Sequence, residues 1–107
     1  MYQIELNNLP NQEFICQLDG QNCRIHLRQI GDYLYLTLYV NDEMVCSNVI
    51  CEDCVKIPTF PTSKFKGTFI CSDNLGNSDP SYDHLEDRFF LFYVTEDELK
   101  NGIQTNI

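Results

Sequence analysis

Apolar and polar residues alternate with period two along most of the first half of the chain. Tyr2, Ile4 and Leu6 share one side, with Gln3 and Glu5 between them. Phe14, Cys16 and Leu18 repeat the pattern, and Asp19-Gly20-Gln21-Asn22 then supplies a hairpin turn. Cys23, Ile25 and Leu27 continue inward while Arg24, His26 and Arg28 point out, and Gly31-Asp32 turns the chain again. Leu34, Leu36, Leu38 and Val40 form the cleanest core face. Alternation of this kind marks half-buried antiparallel strands joined by short turns.

Beyond Asn41-Asp42 the pattern predicts a strand over Met44 to Ile50 and a short one near Cys54 to Ile57. Pro58 to Ser63 holds two prolines and is expected to be a loop or an edge crossing. Gly67 to Cys71 and Phe89 to Val94 are nearly continuous apolar runs, the signature of the most buried strands. Thr95 followed by Glu98 has the spacing of a capping box, so a short C-terminal helical turn is expected, with Gly102 placed to end it and residues 104–107 frayed. These elements predict one all-β domain over residues 1–107, a small antiparallel barrel or sandwich of about seven or eight strands.

Between the last two buried runs lies a polar loop, Asp73-Asn74-Leu75-Gly76-Asn77-Ser78-Asp79-Pro80-Ser81-Tyr82. A connection this long in so small a chain needs a reason, and long loops in compact domains are usually functional or disordered. Its content is carboxylates and amides around one aromatic, which suits docking to another protein. Asp73, Asn74, Asp79, Pro80 and Tyr82 are the expected contacts, ordering on assembly. Reversing the charge of Asp73 and Asp79 is expected to block docking while leaving the domain folded. Tyr33, Tyr35 and Tyr39, opposite the leucine row, are a second expected interface, because tyrosine pairs apolar area with a polar tip. A nucleic-acid stacking platform is disfavoured there because that strand carries no basic residue.

Charge narrows the options. Seven basic residues against sixteen acidic ones leave the 107-residue chain at −9. Phosphate-backbone binding needs clustered Lys and Arg to displace counterions, so a generic DNA or RNA reader is unexpected. An acidic decoy that mimics phosphate spacing would need its carboxylates gathered on one face, and here they are dispersed over many turns. No run of about eighteen apolar residues predicts a membrane span. No secretory signal is visible at the N-terminus, so the six cysteines are expected as reduced thiols.

Cys51-Glu52-Asp53-Cys54, with Cys46 upstream, is the one metal- or redox-like motif and defines the alternative reading, a small module using Cys46, Cys51 and Cys54. It lacks a second CxxC or CxxH pair, and its two internal acids would raise thiol pKa by disfavouring the thiolate. Cys16, Cys23 and Cys71 fall in phase with core positions, where a thiol is a small hydrophobe. Ser81, Asp83 and His84 contain the residue types of a triad, but neighbours along a loop rarely adopt triad geometry. Acidic pairs such as Asp42-Glu43 and Glu86-Asp87 follow no calcium-loop spacing. No cofactor and no catalytic residue is expected.

Taken in order, Leu9-Pro10-Asn11-Gln12, Asp19-Gly20-Gln21-Asn22-Cys23, the Gly31 turn with Tyr35-Leu36, Phe65-Lys66-Gly67, Asp73-Asn74-Leu75-Gly76 leading to Asp79-Pro80-Ser81-Tyr82, and Leu91-Phe92-Tyr93 give the chain a family likeness. Over residues 1 to 98 it resembles the small baseplate plug proteins of contractile-tailed phages and related prophages. The resemblance implies a non-enzymatic all-β subunit built into a tail baseplate near the central hub and tube. It implies other baseplate and tail proteins as partners, residence in the virion after assembly in the host cytoplasm, and no direct contact with nucleic acid or membrane. Whether copies of the chain associate within the particle stays open.

Overall fold

Two-residue turns set the architecture. The computed structural model describes residues 1–58 and 62–101. The strands are β1 (Tyr2–Ile4), β2 (Asn11–Leu18), β3 (Gln21–Ile30), β4 (Tyr33–Val40), β5 (Glu43–Ile50), β6 (Lys56–Ile57), β7 (Thr68–Asp73) and β8 (Phe89–Val94), followed by helix α1 (Glu96–Lys100). Asp19 and Gly20, at φ 52° and 72°, join β2 to β3, and Asn41 and Asp42, at φ 51° and 66°, join β4 to β5. Positive φ at both central positions gives the turn a twist that matches the flanking strands. Gly31, at φ 61°, opens the β3–β4 turn.

The strands form two four-stranded antiparallel sheets, ordered β1-β8-β7-β6 and β2-β3-β4-β5. One hydrophobic cluster takes side chains from both: Ile25, Leu27, Leu34, Leu36 and Leu38 from the second sheet, and Ile57, Phe69, Leu91 and Tyr93 from the first. The arrangement is a sandwich. The barrel half of the sequence expectation is corrected: no closed barrel forms among the described residues, because each four-stranded sheet keeps two edges. The predicted inward rows of β3 and β4 are buried, and all six residues of β7 are buried. The register of β5 is irregular. Its pairing with β4 shifts between Leu36 and Tyr39, where Asn48 takes φ 48° and its N–H donates to Thr37 Oγ1 at 2.9 Å.

Several sequence-distant motifs meet at Tyr93. Its hydroxyl donates to Asp19 Oδ2 at 2.6 Å, and its ring packs against Phe65 and Phe69 at 5.7 and 5.6 Å. Lys66 N–H donates to Gln21 Oε1 at 3.0 Å, and Gly67 lies against Tyr93 and the Val94 carbonyl. Asp19 also accepts from Glu96 N at 3.0 Å, which anchors the start of α1. The capping box is present: Thr95 Oγ1 accepts from Glu98 N at 3.2 Å while Glu98 Oε1 accepts from Thr95 N at 2.9 Å. Burial and the nearby Asp19 carboxylate push the Tyr93 phenol well above its ordinary pKa, and the Tyr93 bond holds the Asp19 carboxyl below its own. Gly102 and residues 104–107 lie outside the described residues, as do 59–61 of the predicted proline loop.

Glu86 is at odds with its backbone. It takes φ 72°, and Oε2 of its half-buried side chain is covered with no hydrogen-bond partner. Left-handed geometry disfavours residues with a Cβ, and a covered oxygen without a donor costs further. Glu86→Gly is expected to raise stability by about 1 kcal/mol, the relief of both penalties exceeding the entropy glycine adds to the unfolded chain. Urea denaturation checks the sign.

Candidate interaction surface

The loop after β7 is tied down by its own side chains. Asp73 is the hub, its carboxylate 0% exposed. Arg88 reaches it with two parallel bonds, Nε to Oδ1 and Nη2 to Oδ2, both 2.8 Å. Leu75 N–H donates to Oδ1 at 2.9 Å and Ser78 N–H to Oδ2 at 2.8 Å. Four donors on one carboxylate, led by the guanidinium, hold its pKa far below the usual aspartate value.

A second pair of carboxylates links this loop to the segment after β5. Asp53 Oδ1 accepts from Asp73 N at 2.9 Å, and Asp79 Oδ1 accepts from Asp53 N at 2.9 Å. Pro80 is fully buried, and Tyr82 N–H donates to Gln29 Oε1 at 3.1 Å while its ring packs on the core. Two expectations are therefore corrected. The loop does not wait for a partner to acquire order, and reversing Asp73 and Asp79 would break internal bonds instead of leaving the fold intact. The loop is exposed from Asn74 to Asp79, and Leu75, 73% exposed, is its large apolar side chain.

The tyrosines stand in a different setting. On the outer face of the β2–β5 sheet, strand pairing sets Arg24 opposite Tyr39 and Arg28 opposite Tyr35, with Tyr33 beside Ile30 at the sheet end. Arg24 lies over the Tyr39 ring with its guanidinium carbon 4.2 Å from the centroid. The row extends on both sides, to Ile15 on β2 and Met44 on β5, 63% and 45% exposed. So the basic residues missing from the tyrosine strand come from its neighbour. Thr37, between the tyrosines on the same strand, is buried and accepts from Asn48 N–H at the β5 bulge. Sequence reasoning noted Arg24 and Arg28 as outward but did not join them to the tyrosines.

Cys51 contacts Cys71 and lies near Cys46, but the three thiols of the predicted motif do not gather into one site. Cys46 and Cys51 are buried and Cys54 is exposed, with its Sγ donating to Asp53 Oδ1 at 3.6 Å. Contact with Cys71 and deep burial raise the Cys51 pKa, and burial followed by Asp53 raises that of Cys54. Cys23 is pushed up to about 11, chiefly by burial. Among the described residues no three His, Cys, Asp or Glu side chains form a metal-ligating group. Ser81 Oγ donates to Asp83, whereas His84 Nδ1 lies 3.5 Å from Asp87, so the loop histidine and serine serve different carboxylates.

A family model described as cyanophage baseplate Pam3 plug gp18 matches residues 1–96 of the chain. This chain belongs to that baseplate plug family. The match runs from β1 through β8 to the first residue of α1, so the plug family covers both sheets and both side-chain hubs. Membership makes this plug-family chain a phage baseplate component, consistent with a structural role in the virion tail. No curated protein matches it.

Proposed function

We propose that the chain is a non-enzymatic, single-domain subunit seated near the central hub and tube of the baseplate, working through protein contacts alone. The observation that carries this reading is the family match over residues 1–96, which includes every strand of the sandwich. Physical chemistry supports the position. A tail tube must pass DNA without holding it, and a −9 surface repels phosphate over the roughly 8 Å that physiological salt leaves unscreened. A pre-ordered loop also favours assembly, because rigid surfaces lose less entropy on docking.

On this reading the chain folds in the host cytoplasm and meets its neighbours there, binding neither DNA nor membrane. Contacts are assigned to the exposed Asn74 and Leu75 of the loop and to Tyr33, Tyr35 and Tyr39, with Asp73, Asp79, Pro80 and Tyr82 holding the loop in its presenting shape. Deleting the coding gene in the encoding phage or prophage tests it. Tails lacking complete baseplates by negative-stain electron microscopy, restored by the gene in trans, are expected. Intact, contractile, infectious tails without the chain would end the proposal.

A further inference from the structure

We propose that the outer face of the β2–β5 sheet, centred on Arg24 and Arg28, docks an acidic segment of a neighbouring tail protein. The inference rests on the assembly role just described and adds the chemistry of the partner.

The chain has sixteen acidic residues for seven basic ones, so intramolecular partners are abundant. Arg88 takes the buried Asp73, and Lys64 and Lys100 lie near Glu43 and Glu96. Arg24 and Arg28 form no ion pair among the described residues. Arg28 donates to the neutral Asn48 Oδ1 at 2.9 Å, and Arg24 makes only its contact over Tyr39, its Nε covered and without an acceptor. A guanidinium presents a planar fork of donors that matches a carboxylate, and stacking on an aromatic ring holds that fork in place beforehand. Arg24 is held in this way over Tyr39, and Arg28 is held by the neutral Asn48, so two arginines of a strongly acidic chain stand on one face with no acidic partner among the described residues. A segment bearing carboxylates complements that face.

The surroundings fit a protein partner. Arg24 and Tyr39 are flanked in one row by Ile15 and Met44, and Arg28 and Tyr35 lie four residues along the same strands, beyond the His26–Thr37 pair. Aromatic residues, arginine and methionine with exposed aliphatic area are the composition of interface centres. A single-stranded nucleic acid could also stack on tyrosines between arginines. Its affinity, however, grows with the number of phosphates neutralised, and two arginines in a chain of net charge −9 neutralise few. Glu13, paired in register with His26 between the two arginines, adds a negative charge that limits any anionic ligand of this face to a few charged groups.

Phenylglyoxal footprinting of the purified chain and of purified baseplates tests the proposal, read by peptide mass spectrometry. Arg24 and Arg28 are expected to react in the free chain and to be protected roughly tenfold in the baseplate, as desolvated charge pairs would be. The R24E/R28E variant, with wild-type circular dichroism and melting temperature, is expected to enter particles roughly 30-fold less well. R24Q/R28Q supplies the same comparison should the reversal perturb folding. Photocrosslinking from p-benzoylphenylalanine at position 39 is expected to recover partner peptides rich in Asp and Glu.

Equal arginine reactivity in the free and assembled states would overturn the proposal. So would normal incorporation of R24E/R28E, or crosslinked peptides without carboxylates. Binding of a fluorescein-labelled oligothymidine strand, lost in R24E/R28E, would reassign the face to nucleic acid. Absence of the wild-type chain from purified baseplates would instead remove the assembly role itself, an outcome read before any arginine is compared.

Discussion

Asp73→Ala is expected to lower the melting temperature by roughly 10 °C or more and to release the loop that follows β7. The substitution leaves Arg88 facing a hole lined by the Leu75 and Ser78 amides, three groups that lose their shared acceptor at once. Removing one partner of a covered ion pair costs more than the pair itself contributes, because the remaining charge and donors stay desolvated. The loss should spread, since the residue 73 backbone N–H, which Ala keeps but no longer anchors, donates to Asp53, and Asp53 N–H in turn donates to Asp79. Hydrogen exchange is expected to rise across residues 73–82 and around Asp53 together. Exchange confined to residues 73–78 would contradict the linked network.

The same site has a pH signature. Because the Asp73 pKa is depressed in the folded state, its contribution is present above the unfolded pKa and lost as pH falls through the folded one. The melting-temperature gap between wild type and Asp73→Asn should therefore hold from neutral pH to just above 3.8, the ordinary aspartate value, then narrow steadily and close only in strong acid. A gap already closed at pH 5 would mean that the carboxylate is not bound as described.

Gly67→Ala is expected to be the most damaging single-atom addition in the chain, at about 3 kcal/mol. A Cβ there would fall well inside contact distance of the Val94 carbonyl oxygen and of the Tyr93 ring and hydroxyl. Neither neighbour can retreat cheaply. Val94 is in a paired strand, and Tyr93 is fully buried, bonded to Asp19 and packed on Phe65 and Phe69. Tyr93→Phe in the same background should recover only part of the loss, because the carbonyl clash remains. Chemical denaturation of the single and double variants separates the two contributions. A Gly67→Ala protein as stable as wild type would show that β7 and β8 can part locally at no cost.

How much of this was legible in the sequence depended on how local the cause was. The β2–β5 meander was readable because alternation gave each strand and turn residues gave each hairpin. The capping box at Thr95 was readable for the same reason. The hubs were not, since Asp73 needs Arg88 from beyond the loop and Asp53 from before it, and no spacing announces a carboxylate shared across strands. Asp53 was masked by the CxxC around it, which directed attention to thiols that face different environments. Arg24 and Arg28 are an intermediate case. The Gly31-Asp32 turn sets every pairing between β3 and β4, so Arg24 beside Tyr39 could have been placed from the sequence. The Asn41-Asp42 turn likewise sets Met44 opposite Tyr39, but the pairing could not be carried further along β5, because the register shifts between Tyr39 and Leu38 and again between Leu38 and Leu36.

The measurement closest to the central claim is a single-particle cryo-EM reconstruction of the baseplate from the encoding phage or prophage. The account predicts a two-sheet sandwich near the tube axis or hub. In that density the outer face of the β2–β5 sheet, with Arg24, Tyr35 and Tyr39, lies against a neighbouring chain. A sandwich found only at the baseplate periphery, or at the hub with that face open to solvent, would contradict it.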